Sequence, residues 1–434
     1  MKHKPVSKVR GYIAALVIVL LPVILWQLSP TKMSGPFGLA FVLATLGKTF
    51  ALAGTAAYFM NPILSMRHQI FERLFGGMDT LYKIHKKSGK ITFFLLWSHP
   101  ILLASAALVN GASISNVWSW SSVLIIAGIV SLIGVTTITA ITIYAHIKHQ
   151  KWIVVHRLFG WIMPIIFFHA LVAKSQIVKN KPLLFYMTTL FVISMFCFLY
   201  RSVFTYFIKR YKYMISEVNS VGPGVLELVL KPIGVPITYT PGQYAYMAVH
   251  NKMVDPEPHP FSFTTAANGP YVRFVIKELG DDTKKMKNLK RGDKVFLEGP
   301  YGGFSYHNTK NKKQIWIAGG VGVTPFLSMA RSLSPKSKYS VHLIYASEKL
   351  DEVVFLKELL MIRKSVPKVF NLTVVNRDIS GFVTIEMINK MIPTMDKHDF
   401  LLCGPPPMIN KLKSDLHKKQ IDSSQIYSEE FSLL

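Results

Sequence analysis

The sequence predicts a multidomain membrane protein: a six-helix transmembrane bundle, then an antiparallel β-barrel domain, then an α/β domain on a parallel sheet. Three observations lead there. Apolar runs long enough to cross a bilayer fill the first half of the chain and stop near residue 208. After Lys212 the pattern changes to short alternating runs separated by Pro/Gly turns, as in a small barrel. After Lys312 buried-type strands alternate with helical segments. The expected domains are 1–211, 212–310 and 311–434.

The apolar runs are Gly11–Leu28, Phe37–Met60, Lys90–Val109, Ser119–Ala145, Ile153–Ala173 and Leu183–Ile208. Basic residues cluster before the first (Lys2, Lys4, Lys8, Arg10), between the second and third (Arg67, Arg73, Lys83, Lys86, Lys87), between the fourth and fifth (Lys148, Lys151) and after the sixth (Lys209, Arg210, Lys212). The opposite loops carry only Lys32, then none from Asn110 to Trp120, then Lys174, Lys179 and Lys181. The positive-inside rule therefore puts both termini in the cytoplasm, with the chain integral to a membrane of bacterial cytoplasmic type. The net charge of +27, from 50 Lys+Arg against 23 Asp+Glu, would suggest nucleic acid in a soluble protein. Here much of it flanks apolar spans, so the expected partner is the lipid bilayer and not nucleic acid. The first run lacks a small-residue cleavage site before Thr31 and reads as a retained anchor. Two cysteines, Cys197 and Cys403, exclude a disulfide framework or a cysteine zinc site.

Four histidines stand in two matched pairs within the apolar half: His85 with His99, and His156 with His169. Fourteen helical steps advance about 21 Å and return to nearly the same face, so His85 and His99 stack along one helix. The second pair is thirteen steps apart, about 220° around an ideal helix, and shares a face only if the helix is distorted. Pro164 lies between them to do it. Two such helices side by side offer two cross-helix histidine pairs, which fits two stacked haems better than four separate core histidines. Lys48 is the only ionisable residue deep in the second run, at a depth similar to His99. A haem propionate or an anionic group at the outer exit would match it, and a snorkelling lysine is the plain alternative. His68, His146 and His149 read as solvated loop histidines.

In the barrel the informative run is His259-Pro260-Phe261-Ser262-Phe263-Thr264-Thr265, preceded by Tyr239-Thr240-Pro241-Gly242-Gln243-Tyr244. An aromatic followed by a hydroxyl on a strand can set a ring and a hydrogen bond against a flavin. Gly280-Asp281-Asp282-Thr283 reads as a helix opening suited to a pyrophosphate. In the third domain, Gly319-Gly320-Val321-Gly322-Val323-Thr324-Pro325 follows a strand and opens a helix, the context in which a glycine turn cradles phosphate. Cys403-Gly404-Pro405 repeats that layout, where a thiol and a close-packed glycine could face a nicotinamide ring; the plain alternative is a buried cysteine beside an ordinary turn. Lys349 and Arg377 follow the second and third strands of this sheet and point to NADPH over NADH.

With these motifs in this order, the chain resembles the ferric reductase and NADPH oxidase superfamily, with a module similar to ferredoxin-NADP reductase. The resemblance runs from the second helix to the C-terminus. It implies two b-type haems held by His85, His99, His156 and His169, and FAD contacted by His259, Pro260, Phe261 and Ser262. It implies NAD(P)H bound by Gly320, Gly322, Thr324, Pro325, Cys403, Gly404 and Pro405, and a flavin covered by Phe431. Two positions depart from the common patterns. His259 stands where reductases carry arginine, as in the oxidase branch, and Leu103 stands where many oxidases have a further histidine. The implied reaction passes electrons from cytoplasmic NAD(P)H through FAD and the haems to an outside acceptor. Dioxygen giving superoxide is favoured over ferric complexes, because the short outer loops lack an acidic iron-binding cluster. No obligatory protein partner is expected. A transporter or sensor with a regulatory flavin reductase is the rival of another class, and the absence of an evident inverted repeat counts against it.

Overall fold

The computed structural model describes residues 8–29, 37–112, 123–145, 147–172, 176–251, 253–254, 257–267 and 269–429. The chain divides into two compact units, Val6–Ile208 and Lys209–Leu434.

The main helices of the first unit are α1 (Lys8–Gln27), α2 (Leu39–Leu64), α3 (Gln69–Phe75), α4 (Met78–Val109), α5 (Val123–Tyr144), α6 (His149–Val172) and α7 (Lys181–Ser202). All but α3 are long and apolar enough to span a membrane. Two differences from the sequence reading have local causes. Helix α4 extends from the apolar run at Lys90 back through His85 to Met78, with Asp79 in its first turn and the Thr80 hydroxyl donating to the Gly76 carbonyl. The basic stretch that looked like a loop is therefore helix, and its acidic start suits the helix dipole. The short α3 was not expected. His68 caps it, Nδ1 accepting from the Ile70 amide at 3.3 Å, and Gly76 and Gly77 (φ +83° and +107°) make the reversal into α4.

Packing centres on α2, which lies against α4, α1 and α7. Within a bilayer each buried polar group needs a protein partner. Thus the Tyr58 hydroxyl donates to the Phe159 carbonyl at 2.7 Å, Tyr186 to Ile18 at 2.6 Å, and Ser194 to Phe59. Asn180 caps α7 through the Leu183 amide (3.1 Å) and donates to Leu25 O at 3.0 Å. Phe94, Ile101, Trp161 and Phe185 point outward, as lipid-facing side chains do.

The second unit holds two sheets. The first contains β1 (Tyr211–Gly222), β2 (Val225–Pro232), β3 (Tyr244–His250), β4 (His259–Ser262), β5 (Val272–Lys277) and β6 (Lys294–Tyr301), antiparallel in the order β4-β3-β6-β1-β2-β5. A bridge between Phe263 and Phe274 joins its two edges and closes the barrel around Phe263, Phe274, Leu228 and Leu297. The second is parallel, in the order β11-β10-β7-β8-β9. Its strands are β7 (Lys313–Gly319), β8 (Ser340–Ser347), β9 (Phe370–Asn376), β10 (Asp399–Cys403) and β11 (Ile426–Glu429). Helices α8 (Thr324–Arg331), α9 (Leu356–Ser365) and α10 (Pro406–Lys418) cover it. Side chains of β7 alternate between two cores, Trp316 and Ala318 on one face and Ile315 and Ile317 on the other. That is why its sequence is apolar throughout.

Candidate functional site

In the membrane unit, α4 carries His85 and His99 on one face, and α6 brings a partner to each. The rings of His85 and His156 lie 6.0 Å apart between centres. His169 is the neighbour of His99 at the other level. Pro164 lies inside α6 between its two histidines. On the α4 side both rings are held from α2: His85 Nδ1 meets the Asn61 carbonyl at 3.2 Å, and His99 Nδ1 meets the Gly47 carbonyl at 3.0 Å. Since a carbonyl only accepts, each Nδ1 carries the proton and each Nε2 is the nitrogen that could ligate a metal. His156 stacks on Trp152 (4.7 Å, 13°), and its buried Nδ1 has no partner.

These residues fit two haems. Two imidazoles sharing one metal at bond lengths of about 2 Å have ring centres about 6 Å apart, as His85 and His156 do. Among the described residues no group of three or more His, Cys, Asp or Glu would hold a bare ion. Histidines in twos suit an iron whose other positions a macrocycle fills. Between His85 and His99, on the same face, Ser88 and Thr92 are buried with unpartnered hydroxyls. On α5, Gly128 lies so near His169 that a Cβ there would come within 2.8 Å of the ring. Lys48 is half-buried and adjoins Gly47, which places it at the level of His99. His146 lies outside the described residues.

In the barrel, β4 pairs with β3 so that Ser262 opposes Tyr244 and Pro260 opposes Tyr246. Ser262 is 4 % exposed and its Oγ has no partner, so it fits a hydrogen bond to a flavin. Phe261 packs against the barrel core, and His259 Nε2 lies 3.9 Å from Asp282. Thr264 and Thr283, expected on the flavin, are engaged elsewhere. The Thr264 hydroxyl donates to Arg273 O at 3.0 Å and helps to close the barrel. Thr283 Oγ1 accepts from the Leu279 and Gly280 amides at 3.0 Å each, so those amides are not offered to a pyrophosphate. Sequence reading missed the ring cluster of Tyr244, Tyr246 and Tyr301, and Glu429, which β11 brings beside Gly302 and Tyr244. The alternating Tyr-Ala-Tyr on β3 was the available signal. Phe431 lies outside the described residues.

The two glycine turns of the parallel sheet, noted separately in the sequence, are in contact. A Cβ on Gly322 would come within 2.3 Å of the Cys403 carbonyl, and one on Gly319 within 2.8 Å of Pro405 Cδ. Gly320 has φ +53°, the Thr324 hydroxyl donates to Val321 O at 3.0 Å, and Pro325 opens α8. Gly404 packs on Gly319, while the Cys403 side chain is fully buried in the core beneath the turn. That burial matches the plain alternative, a buried cysteine beside the turn. Arg377 is also engaged, in an ion pair with Glu348 that follows β8, with Phe382 beneath its guanidinium at 5.8 Å. A 2′-phosphate there would have to displace a carboxylate. Arg331 fixes the parallel sheet to the barrel, donating to Thr264 O at 2.6 Å and in a fork to Glu358 at 2.7 and 2.8 Å. Those hydrogen bonds hold the Glu358 carboxyl below its usual range, whereas burial pushes that of nearby Glu227 up.

Three family models match the chain in order: a ferric reductase like transmembrane component over residues 50–167, an FAD-binding domain over 210–305 and an oxidoreductase NAD-binding domain over 316–414. Among curated proteins it is similar to NADH-cytochrome b5 reductase 2 of Homo sapiens, 34% identical over 158 residues, 30% of this chain and 57% of the relative. It is also similar to the 2-halobenzoate 1,2-dioxygenase electron transfer component of Burkholderia cepacia, 27% identical over 209 residues, 45% of this chain and 60% of the relative. The chain thus spans little more than half the length of these relatives. Among solved structures, the FAD/NAD-binding domain of a nitric oxide dioxygenase from Vibrio cholerae O1 biovar El Tor superposes with a TM-score of 0.46 at 26% identity. It covers 51% of this chain and 98% of that one.

Proposed function

The chain has the architecture of the ferric reductase and NADPH oxidase superfamily, an integral membrane oxidoreductase with FAD- and NAD-binding domains, and from that premise we propose its electron path. Residues 1–211 hold two b-type haems, 212–310 hold FAD and 311–434 bind NAD(P)H. Electrons leave cytoplasmic NAD(P)H and reach an acceptor on the other side of the membrane. The observation that carries this reading is the pairing of α4 and α6 histidines at two levels, with 6.0 Å between the inner rings.

When bound, the flavin takes a hydride from nicotinamide and the haems carry electrons singly. The chain's own residues bind, orient and shield. His85, His99, His156 and His169 would hold the haem irons through their ring nitrogens, and the Asn61 and Gly47 carbonyls set the tautomer of two of them. Ser262 offers the flavin a hydroxyl, with Phe261, Pro260 and His259 beside it on β4. Gly320 and Gly322, with Thr324 and Pro325, shape a turn that lets a dinucleotide approach the backbone, and Gly404 and Pro405 form its opposite wall. Basic inner loops put the reductase half in the cytoplasm. Dioxygen is the proposed acceptor: one NAD(P)H and two dioxygen molecules give NAD(P)⁺, a proton and two superoxide ions. The reading with ferric complexes as acceptor is favoured by one observation, that Leu103 fills the contact between α4 and Gly47 where an outer histidine would stand.

The test is anaerobic reduction of the purified protein by NADH or NADPH, followed by addition of dioxygen or a ferric complex. The expected outcome is b-type haem bands that appear on reduction and vanish with dioxygen, with superoxide released. Bands that persist in dioxygen but vanish with ferric complex would assign the metal reductase reading instead.

A further inference from the structure

Helix α2 carries no histidine, yet it meets both histidines of α4. Its Gly47 and Asn61 carbonyls are fourteen residues apart, as are His85 and His99, and the two helices run antiparallel. Midway between them Gly54 also touches α4: a Cβ there would come within 3.1 Å of Leu95 Cβ and 3.2 Å of Leu96 Cδ2. A Cβ on Gly47 would come within 3.0 Å of Leu103 Cδ2 and 3.2 Å of Leu102 Cβ. The close approach at Gly47 is what brings its carbonyl within 3.0 Å of His99 Nδ1. No such carbonyl serves His156, whose Nδ1 is buried without a partner.

We infer that α2 is a positioning helix for the electron path, its backbone carbonyls at 47 and 61 fixing orientation and basicity of the two α4 ligands, with Gly47 the residue that tunes the outer haem. This rests on the proposed haem ligation. A histidine that donates through Nδ1 is a stronger electron donor to its metal, which favours the ferric state. Loosening that hydrogen bond makes the haem easier to reduce, so its midpoint potential rises. The effect is confined to one level because Gly47 serves only His99.

The experiment is an optical redox titration of purified holoprotein, with the outer haem assigned as the one lost in His99→Ala. Gly47→Ala and then Gly47→Val wedge α2 from α4 beside His99. Gly54→Val wedges the same helices where no histidine is bonded. The expected result is two haems in every Gly47 and Gly54 variant, an outer midpoint that rises from wild type through Ala to Val, and an unchanged inner midpoint. Gly54→Val leaves both midpoints in place, and Leu103→Ala added to Gly47→Val returns the outer midpoint toward wild type. Gly47 variants with wild-type midpoints, or a Gly54→Val shift as large as that of Gly47→Val, would overturn the positioning role alone. A wild-type protein without haem would overturn the ligation on which it rests.

Discussion

In the membrane unit the candidate site is made of four histidine side chains, two on α4 and two on α6. In the reductase unit the candidate site is made mostly from backbone: two glycine turns in contact, a closed barrel edge and an orphaned hydroxyl. A side chain on a helix can be read from periodicity, because position in sequence fixes level and face. A turn gets its meaning from whatever strand end lies opposite, and that depends on sheet order. The two units should therefore fail differently when altered, the first by losing a cofactor outright and the second by graded loss of fit.

The largest effect is expected at the inner ligands. His156→Ala should abolish transfer of electrons to the outer acceptor, while NADH-driven reduction of a soluble dye by the flavin domain stays near wild type. Equal loss of both activities would mean that the two units are not separable in this way.

Next comes the glycine contact. Gly322→Val forces side-chain atoms onto the Cys403 carbonyl, where even a Cβ would lie 2.3 Å away. We expect kcat/KM for NADH to fall by about 10²-fold, the scale of a misplaced reactant, with haem content unchanged. A fall of less than threefold would show that the two turns can separate without cost.

These first two sites also show what could be read in advance. The histidines, the glycine turns and the His259–Ser262 strand were legible because each has a local pattern. The contact between the two glycine turns was not, since nothing in Leu402-Cys403-Gly404 says that Gly404 will pack on Gly319. Nor was the engagement of Thr264 and Thr283, whose partners come from Arg273 across the barrel seam and from the turn at Leu279. The full reach of α4 back to Met78 was not legible either, because Lys83, Lys86 and Lys87 interrupt the apolar pattern before Lys90.

A smaller effect is expected at Ser262. Ser262→Ala removes the orphaned hydroxyl, and losing one hydrogen bond of about 1 kcal/mol should weaken flavin binding or slow its reduction about fivefold. Unchanged flavin affinity and an unchanged reduction rate would remove Ser262 from the site.

Donor choice should respond by a similar factor. Glu348 sits beside Arg377 where a 2′-phosphate would bind, so Glu348→Gln should raise kcat/KM for NADPH relative to NADH by about fivefold, the scale of one exposed charge pair. A ratio that moves toward NADH would show that Glu348 does not face the nucleotide.

The smallest effect concerns pH. Glu358 ionises more readily in the folded protein, through its hydrogen bonds to Arg331. Its contribution is therefore present above the ordinary glutamate pKa and is lost as pH falls through the lower folded value. Glu358→Gln should lower the Tm of the reductase unit's transition in the full-length protein at pH 7, and the gap should close on acidification below that range. A gap that is constant with pH would assign the loss to packing.

The account stands on two cross-helix histidine pairs, and the most direct measurement is the haem count per chain in the purified membrane protein by pyridine haemochrome assay. The predicted result is two b-type haems in wild type, one in His99→Ala and one in His156→Ala. Two haems retained in both variants, or none in wild type, would contradict it.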